Sequence, residues 1–226
     1  MKSMVIVLSF IFISNVYGIV LGTNDLVSVS SSETPAIIKD LAKTVGHIKT
    51  SIIFPSKCTG VLISKSLFLT TTSCIPSHLT AGRIRVYFNN IIKDNTDKYK
   101  VKDIVLRDGP SQIVLLRLKK NPGLVQGFLK VSSQNRVGES LGYIENDSKS
   151  HLLQFMSAPC EVKAFSESEE LAHDCDTTSE GAPLINERLE LVGLQKGFYF
   201  TSPVLNNALS THKYYEIIKD YIFEDN

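Results

Sequence analysis

The feature that most constrains this chain is the rhythm of its apolar residues. They come in short stretches at 50–54, 59–64, 67–71, 99–106, 113–118, 127–131, 139–144, 151–157, 160–165, 182–185, 189–195 and 198–201. Between them, Ile84, Val86 and Phe88 alternate with Arg83, Arg85 and Tyr87, giving one face to a core and one to water. Turn residues punctuate the series at Asp108-Gly109-Pro110, Asn121-Pro122-Gly123, Asn186-Glu187 and Lys196-Gly197. Many short strands at this spacing predict an all-β sandwich or barrel. The end differs. Tyr214, Ile217, Ile218, Tyr221 and Ile222 fall on one stripe of a helix that Ser210 or Thr211 can cap. No repeat of fixed period and no linker divides the chain.

The first eighteen residues, MKSMVIVLSFIFISNVYG, have a basic start, a short apolar run and a small residue at the end. They read as a signal peptide cleaved after Gly18. Residues 19–45 read as an N-terminal arm and 46–226 as one domain. Of the 226 residues about 200 then remain, enough for one well-buried core. The net charge of +1 excludes a strongly basic nucleic-acid binder, and Arg117-Leu118-Lys119-Lys120 reads as a solvated strand end.

Export permits disulfides, and the four cysteines, Cys58, Cys74, Cys160 and Cys175, allow three pairings. Cys58–Cys74 would close a medium loop worth about 3 kcal/mol on chain entropy, and Cys160–Cys175 a similar one. Zinc spacings such as CxxC or HxxxH do not occur, so no metal and no cofactor is expected. Asn146-Asp147-Ser148 is a glycosylation sequon with Asn146 as acceptor.

Three blocks carry chemistry. CTGVLISKSLFLTTTSC (58–74), SQIVLLRLKK (111–120) and HDCDTTSEGAPLINERLELVGLQKG (173–197) precede a strand-and-helix ending, NNALSTHKYYEIIKDYI (206–222). In their order and spacing these resemble the chymotrypsin/trypsin-like serine proteases over roughly residues 45–223. HDCDT…GAPL is closer to the glutamyl-endopeptidase branch than to trypsin. The resemblance implies two six-stranded antiparallel β-barrels with the active site between them and a closing C-terminal helix. Carried over by position, the family's base falls on Ser73, its carboxylate on Gln112 and its nucleophile on Glu180. Counting forward from Cys175 instead places the nucleophile on Ser179.

Serine has no titration near neutral pH with which to accept a proton, Gln112 carries no charge to steady an imidazolium, and a carboxylate attacking an amide gives an anhydride that reverts. Of the five histidines, His47, His78, His151, His173 and His212, none occupies the base position. Ile19-Val20-Leu21-Gly22 is similar to the family's activated N-terminus but also reads as the tail of the leader. The expectation from the sequence is therefore a secreted, extracellular, monomeric serine protease homologue that is not an enzyme. It would bind an unidentified extracellular protein as a modulator, cofactor or decoy, with no nucleic-acid or membrane partner. Two alternatives stand beside it. One is an active endopeptidase using Ser179 and an unconventional base. The other is a carbohydrate or small-ligand binder using Phe198-Tyr199-Phe200.

Overall fold

A computed structural model describes residues 26–50, 58–88, 97–146, 153–156, 160–166, 168–177, 179–199 and 205–226. Its elements run β1 (Leu26–Ser28), α1 (Ala36–Lys43), β2 (Val45–Thr50), β3 (Thr59–Leu62), β4 (Leu67–Thr71), β5 (Ile84–Phe88), β6 (Asp97–Asp108), β7 (Ile113–Leu118), α2 (Gly123–Gln126), β8 (Lys130–Val131), β9 (Ser140–Asn146), β10 (Leu153–Met156), β11 (Cys160–Phe165), β12 (Glu170–His173), β13 (Pro183–Asn186), β14 (Glu190–Tyr199), β15 (Leu205–Ser210) and α3 (Thr211–Asp225).

The strands β2-β3-β4-β7-β6-β5 close into one antiparallel barrel. A second ring, β9-β11-β12-β15-β14-β13, closes where β13 returns to β9. The predicted architecture of two six-stranded barrels and a terminal helix is therefore the observed one. β10 and β1 extend from β9, and β8 runs parallel to β14.

The central strands are buried on both faces, which explains their unbroken apolar runs. Phe68, Val114 and Leu116 point into the first barrel with Ile48, Leu62 and Phe88. Their neighbours Leu67, Leu69, Ile113 and Leu115 point the other way, into a layer shared with Leu194 and Leu209 of the second barrel. Period-two alternation thus separates two cores rather than core from water. Tyr214 and Ile218 of α3 join the same layer. The helix end is tied down as well. The Asp225 carboxylate accepts from Ser64 Oγ (2.6 Å), Ser66 N (2.8 Å) and Ser66 Oγ (2.6 Å) at the β3–β4 turn. These bonds, with Arg117 3.9 Å away, outweigh burial and hold its pKa below the usual carboxylate value.

The structure also departs from the sequence reading. The N-terminal arm reads as ending in a weakly helical patch, and α1 lies there, while the pairing of β1 with β10 is the part the sequence does not show. Residues 189–195 and 198–201, read as two strands, are largely one strand, β14, with a register shift between Gln195 and Gly197. A lone glycine inside a strand marks a bulge as readily as a turn. Residues 127–131, read as a strand, contribute only the short β8, preceded by the helical turn α2. The signal peptide, Ile19-Val20-Leu21-Gly22 and His151 lie outside the described residues. Asn146 ends β9, and the rest of its sequon also lies outside them.

Candidate active site

Both disulfides are formed, as Cys58–Cys74 and Cys160–Cys175. The first ties the start of β3 to the turn after β4, because β3 and β4 pair antiparallel and bring their outer ends together. The chain leading to β13 docks against this corner. Glu180 bridges to Cys58 in parallel, its carbonyl accepting from Thr59 N at 2.8 Å. Gly181 N then donates to Gln195 O at 2.8 Å, so one residue lies against each barrel in turn. Gly181 has φ +75°, and a Cβ there would sit 2.2 Å from Thr59 O. Only glycine fits so close an approach in left-handed backbone.

The remaining positions converge on the same corner. Ser73 is exposed in the turn after β4, with its Oγ 2.8 Å from Thr71 Oγ1. Gln112 stands just before β7 at φ +57°, and its carbonyl accepts from Thr72 N at 2.9 Å. The Glu180 carboxylate is half-buried and reaches to within 4.8 Å of both disulfide sulfurs. Those sulfurs are bonded to each other, so this cluster offers a metal one carboxylate and no thiolate. Ser73, Gln112 and Glu180 are thus gathered by two backbone hydrogen bonds and the Cys58–Cys74 disulfide.

Ser179 has a different setting. It is 2% exposed, and its Oγ lies 2.6 Å from Thr59 Oγ1. Thr70 Oγ1 donates to the Thr59 carbonyl at 2.7 Å beside them. Behind the loop, the buried Tyr143 hydroxyl donates to Glu145 Oε2 at 2.8 Å, contacts Thr177 Oγ1 and reaches the Ser179 carbonyl at 3.3 Å. Burial, and then the adjacent Glu145 charge, push the Tyr143 pKa well above its ordinary value, so it stays a donor.

The histidines are spread over the molecule. His173 is fully buried, and burial lowers its pKa to about 4, so it is neutral at pH 7. Its Nδ1 accepts from Cys175 N at 3.3 Å, which leaves Nε2–H to donate to Gln195 Oε1 at 2.9 Å. His78 and His212 are exposed, in the loop after Cys74 and at the start of α3. His47 is buried on β2 directly opposite Thr59. Opposed residues of an antiparallel pair share a face, so His47 lies on the Thr59–Ser179 side of its strand. The roles of Thr59, Tyr143 and Gln195 have no sequence signature, because each depends on strand register. The side chains of Phe198 and Tyr199, and all of Phe200, lie outside the description.

A family model for the trypsin-like peptidase domain matches residues 58–194, more than half of the chain, with Ser73, Gln112, Ser179 and Glu180 inside the match. The chain belongs to the trypsin-like peptidase domain family. This corrects the expectation that it is not an enzyme, because membership in a peptidase family points to a protease. The fold agrees. A Glu endopeptidase solved in complex with MPD superposes with TM-score 0.69 at 16% identity, covering 90% of this chain and 99% of that one. The serine endoprotease from Yersinia pestis superposes with TM-score 0.64 at 16% identity over 83% of this chain. The trypsin-like chain spans 65% of the Yersinia protein's length. No curated protein matches in sequence.

Proposed function

We propose that this trypsin-like chain is a secreted peptidase that hydrolyses polypeptides in the cleft between its barrels, with Glu180 as the proton acceptor. The observation that carries the reading is the three-way junction just described. The Cys58–Cys74 disulfide, the Thr59–Glu180 bond and the Thr72–Gln112 bond bring Ser73, Gln112 and Glu180 to one corner. Membership in the peptidase family supports the reaction class. Two disulfides fit an oxidising, extracellular compartment.

The chemistry follows from the groups present. A carboxylate at Glu180 takes a proton from water, or from the Ser73 hydroxyl, as that oxygen attacks the peptide carbonyl. The tetrahedral intermediate then collapses with the proton returned to the leaving amine; where Ser73 attacked, a water, deprotonated in its turn by Glu180, hydrolyses the acyl-serine and frees the hydroxyl. Gln112, carrying an amide, offers N–H donors to developing charge rather than a charge of its own. A carboxylate is a weaker proton acceptor toward a hydroxyl than an imidazole, so turnover is slow beside that of an imidazole-based enzyme.

The test uses the full secreted chain on a mixed pool of peptides and on unfolded casein, with products mapped by mass spectrometry. Slow, defined cleavage that disappears in Glu180→Gln supports the reading. Labelling of Ser73 by a fluorophosphonate probe identifies the serine as the attacking group, and turnover without labelling identifies water. Product formation equal to the protein-free control, or unchanged by Glu180→Gln, overturns it.

A further inference from the structure

Away from the cleft, one face combines two features that soluble proteins keep apart. The helical turn α2 holds Leu124 and Val125 72% and 75% exposed, and at the end of α3 Phe223 is 85% exposed. A cavity of about 670 Å³ has Lys102, Lys119, Lys120 and Asn121 in its lining, the last of these just ahead of α2 in the chain, together with Glu224 and Asp225, which follow Phe223. Backbone bonds fix the parts together. Gly123 N donates to Lys65 O at 2.8 Å and Lys119 N to Lys100 O at 3.0 Å, while Asp225 joins α3 to the turn that carries Lys65. Lys100, Lys102, Lys119 and Lys120 are all exposed. Of the acidic groups nearby, Asp225 is taken up by Ser64, Ser66 and Arg117, and Asp103 lies 4.0 Å from Arg117. A chain of net charge +1 thus exposes four lysines on β6 and at the end of β7, in the stretch that leads into α2 with its exposed Leu124 and Val125.

We propose that this face docks on an anionic lipid surface, with Leu124, Val125 and Phe223 entering the headgroup–acyl boundary and the lysines pairing with lipid phosphates and carboxylates. A crest suits a deformable interface, which closes around protruding side chains, better than an acidic protein, which needs a matching groove for them. Apolar contact and basic charge together are the two signals that stable interfacial binding requires. The chain would lie on the surface and not span it. Among the described residues no helix is long and apolar enough to cross. The inference does not depend on the chemistry of the cleft.

The experiment is co-sedimentation of the full chain with phosphatidylcholine vesicles, with and without phosphatidylserine, at low and high salt. Binding is expected only to the phosphatidylserine vesicles, weakening steeply with salt. Binding weaker by about tenfold or more is expected in Leu124→Ser/Val125→Ser, and by about thirtyfold or more in Lys119→Glu/Lys120→Glu. Thermal melts of both variants are expected to match wild type, since all four side chains are exposed. No binding to phosphatidylserine vesicles at low salt overturns the proposal. So does undiminished binding by the Leu124/Val125 variant, which would leave a charge-only surface for acidic macromolecules.

Discussion

Replacing Ser179 with alanine separates a structural hydroxyl from a nucleophile. Ser179 Oγ and Thr59 Oγ1 lie 2.6 Å apart, and both residues are almost fully buried where the loop before β13 meets β3. Ser179→Ala removes one partner and leaves the Thr59 hydroxyl buried beside a methyl group. The net cost of a lost bond with a stranded buried partner is about 1–3 kcal/mol. For a chain of this length that lowers Tm by roughly 2–12 °C. Thr59→Val removes the same bond from the other side. The double variant strands neither, so the two costs fall short of adding, with a coupling of about 1 kcal/mol. Urea unfolding of the four proteins near neutral pH, with peptide turnover measured on each, gives both answers. The expected result is a loss of stability in Ser179→Ala that Thr59→Val partly cancels, with turnover retained in the folded fraction. An unchanged urea midpoint with abolished turnover refutes the reasoning: Ser179 would then be presented to substrate, and the hydroxyl pair would not describe the working state.

Other perturbations test the same frame. Gly181→Ala places a Cβ 2.2 Å from Thr59 O at φ +75° and is expected to cost roughly 2–5 kcal/mol, with a Tm unchanged from wild type as the contrary result. His173 has a folded pKa of about 4 against an ordinary 6.5, so between these values the unfolded chain binds more protons and stability falls with acidification. The loss reaches about 3 kcal/mol, seen as a falling urea midpoint from about pH 6.5 to about pH 4 that His173→Gln flattens; a slope that persists in His173→Gln assigns it elsewhere. Asp225 has a lowered pKa, so its contribution is present above the unfolded value and lost as pH falls through the folded one. Asp225→Asn is expected to cost about 1–2 kcal/mol at neutral pH and to reduce acid sensitivity at the lowest pH, with hydrogen exchange fastest in the last turn of α3.

The sequence was most legible where both faces of a strand are buried. The stretches 67–71 and 113–118 match β4 and β7 residue for residue, because a continuous apolar run between turns has few other solutions. β2 and β12 went unseen. VGHIKT and ELAH carry polar residues that are buried only because β3 and β15 lie beside them. His173 reads from the sequence as a packed or edge residue of a strand, and the structure buries it fully, whereas the burial of His47 follows only from the register of β2. The same limit governs the corner. The resemblance located Ser73, Gln112 and Glu180, since cysteine spacing and the Gly181-Ala182-Pro183 landmark are local. It said nothing of Thr59, which meets Ser179 across 120 residues, or of Tyr143, which reaches Thr177 from another strand.

The corner also couples the two barrels, and this bears on how its chemistry can work. Between Thr59 and Gln195 the chain passes from one barrel to the other in two residues, through the Glu180 carbonyl and the Gly181 amide. The Cys58–Cys74 disulfide fixes the first barrel's side of that crossing, and Tyr143 holds the second barrel's side through the Ser179 carbonyl and Thr177. The backbone that carries Glu180 is therefore set by both barrels, while its carboxylate remains half-buried beside the Cys58–Cys74 disulfide, one residue along the chain from the exposed Ser73. A site built this way derives its precision from main-chain positions rather than from a chain of side-chain hydrogen bonds. That arrangement keeps a reacting group in place when the side chains around it differ from the family's usual set, because the hydrogen bonds that hold it belong to the fold.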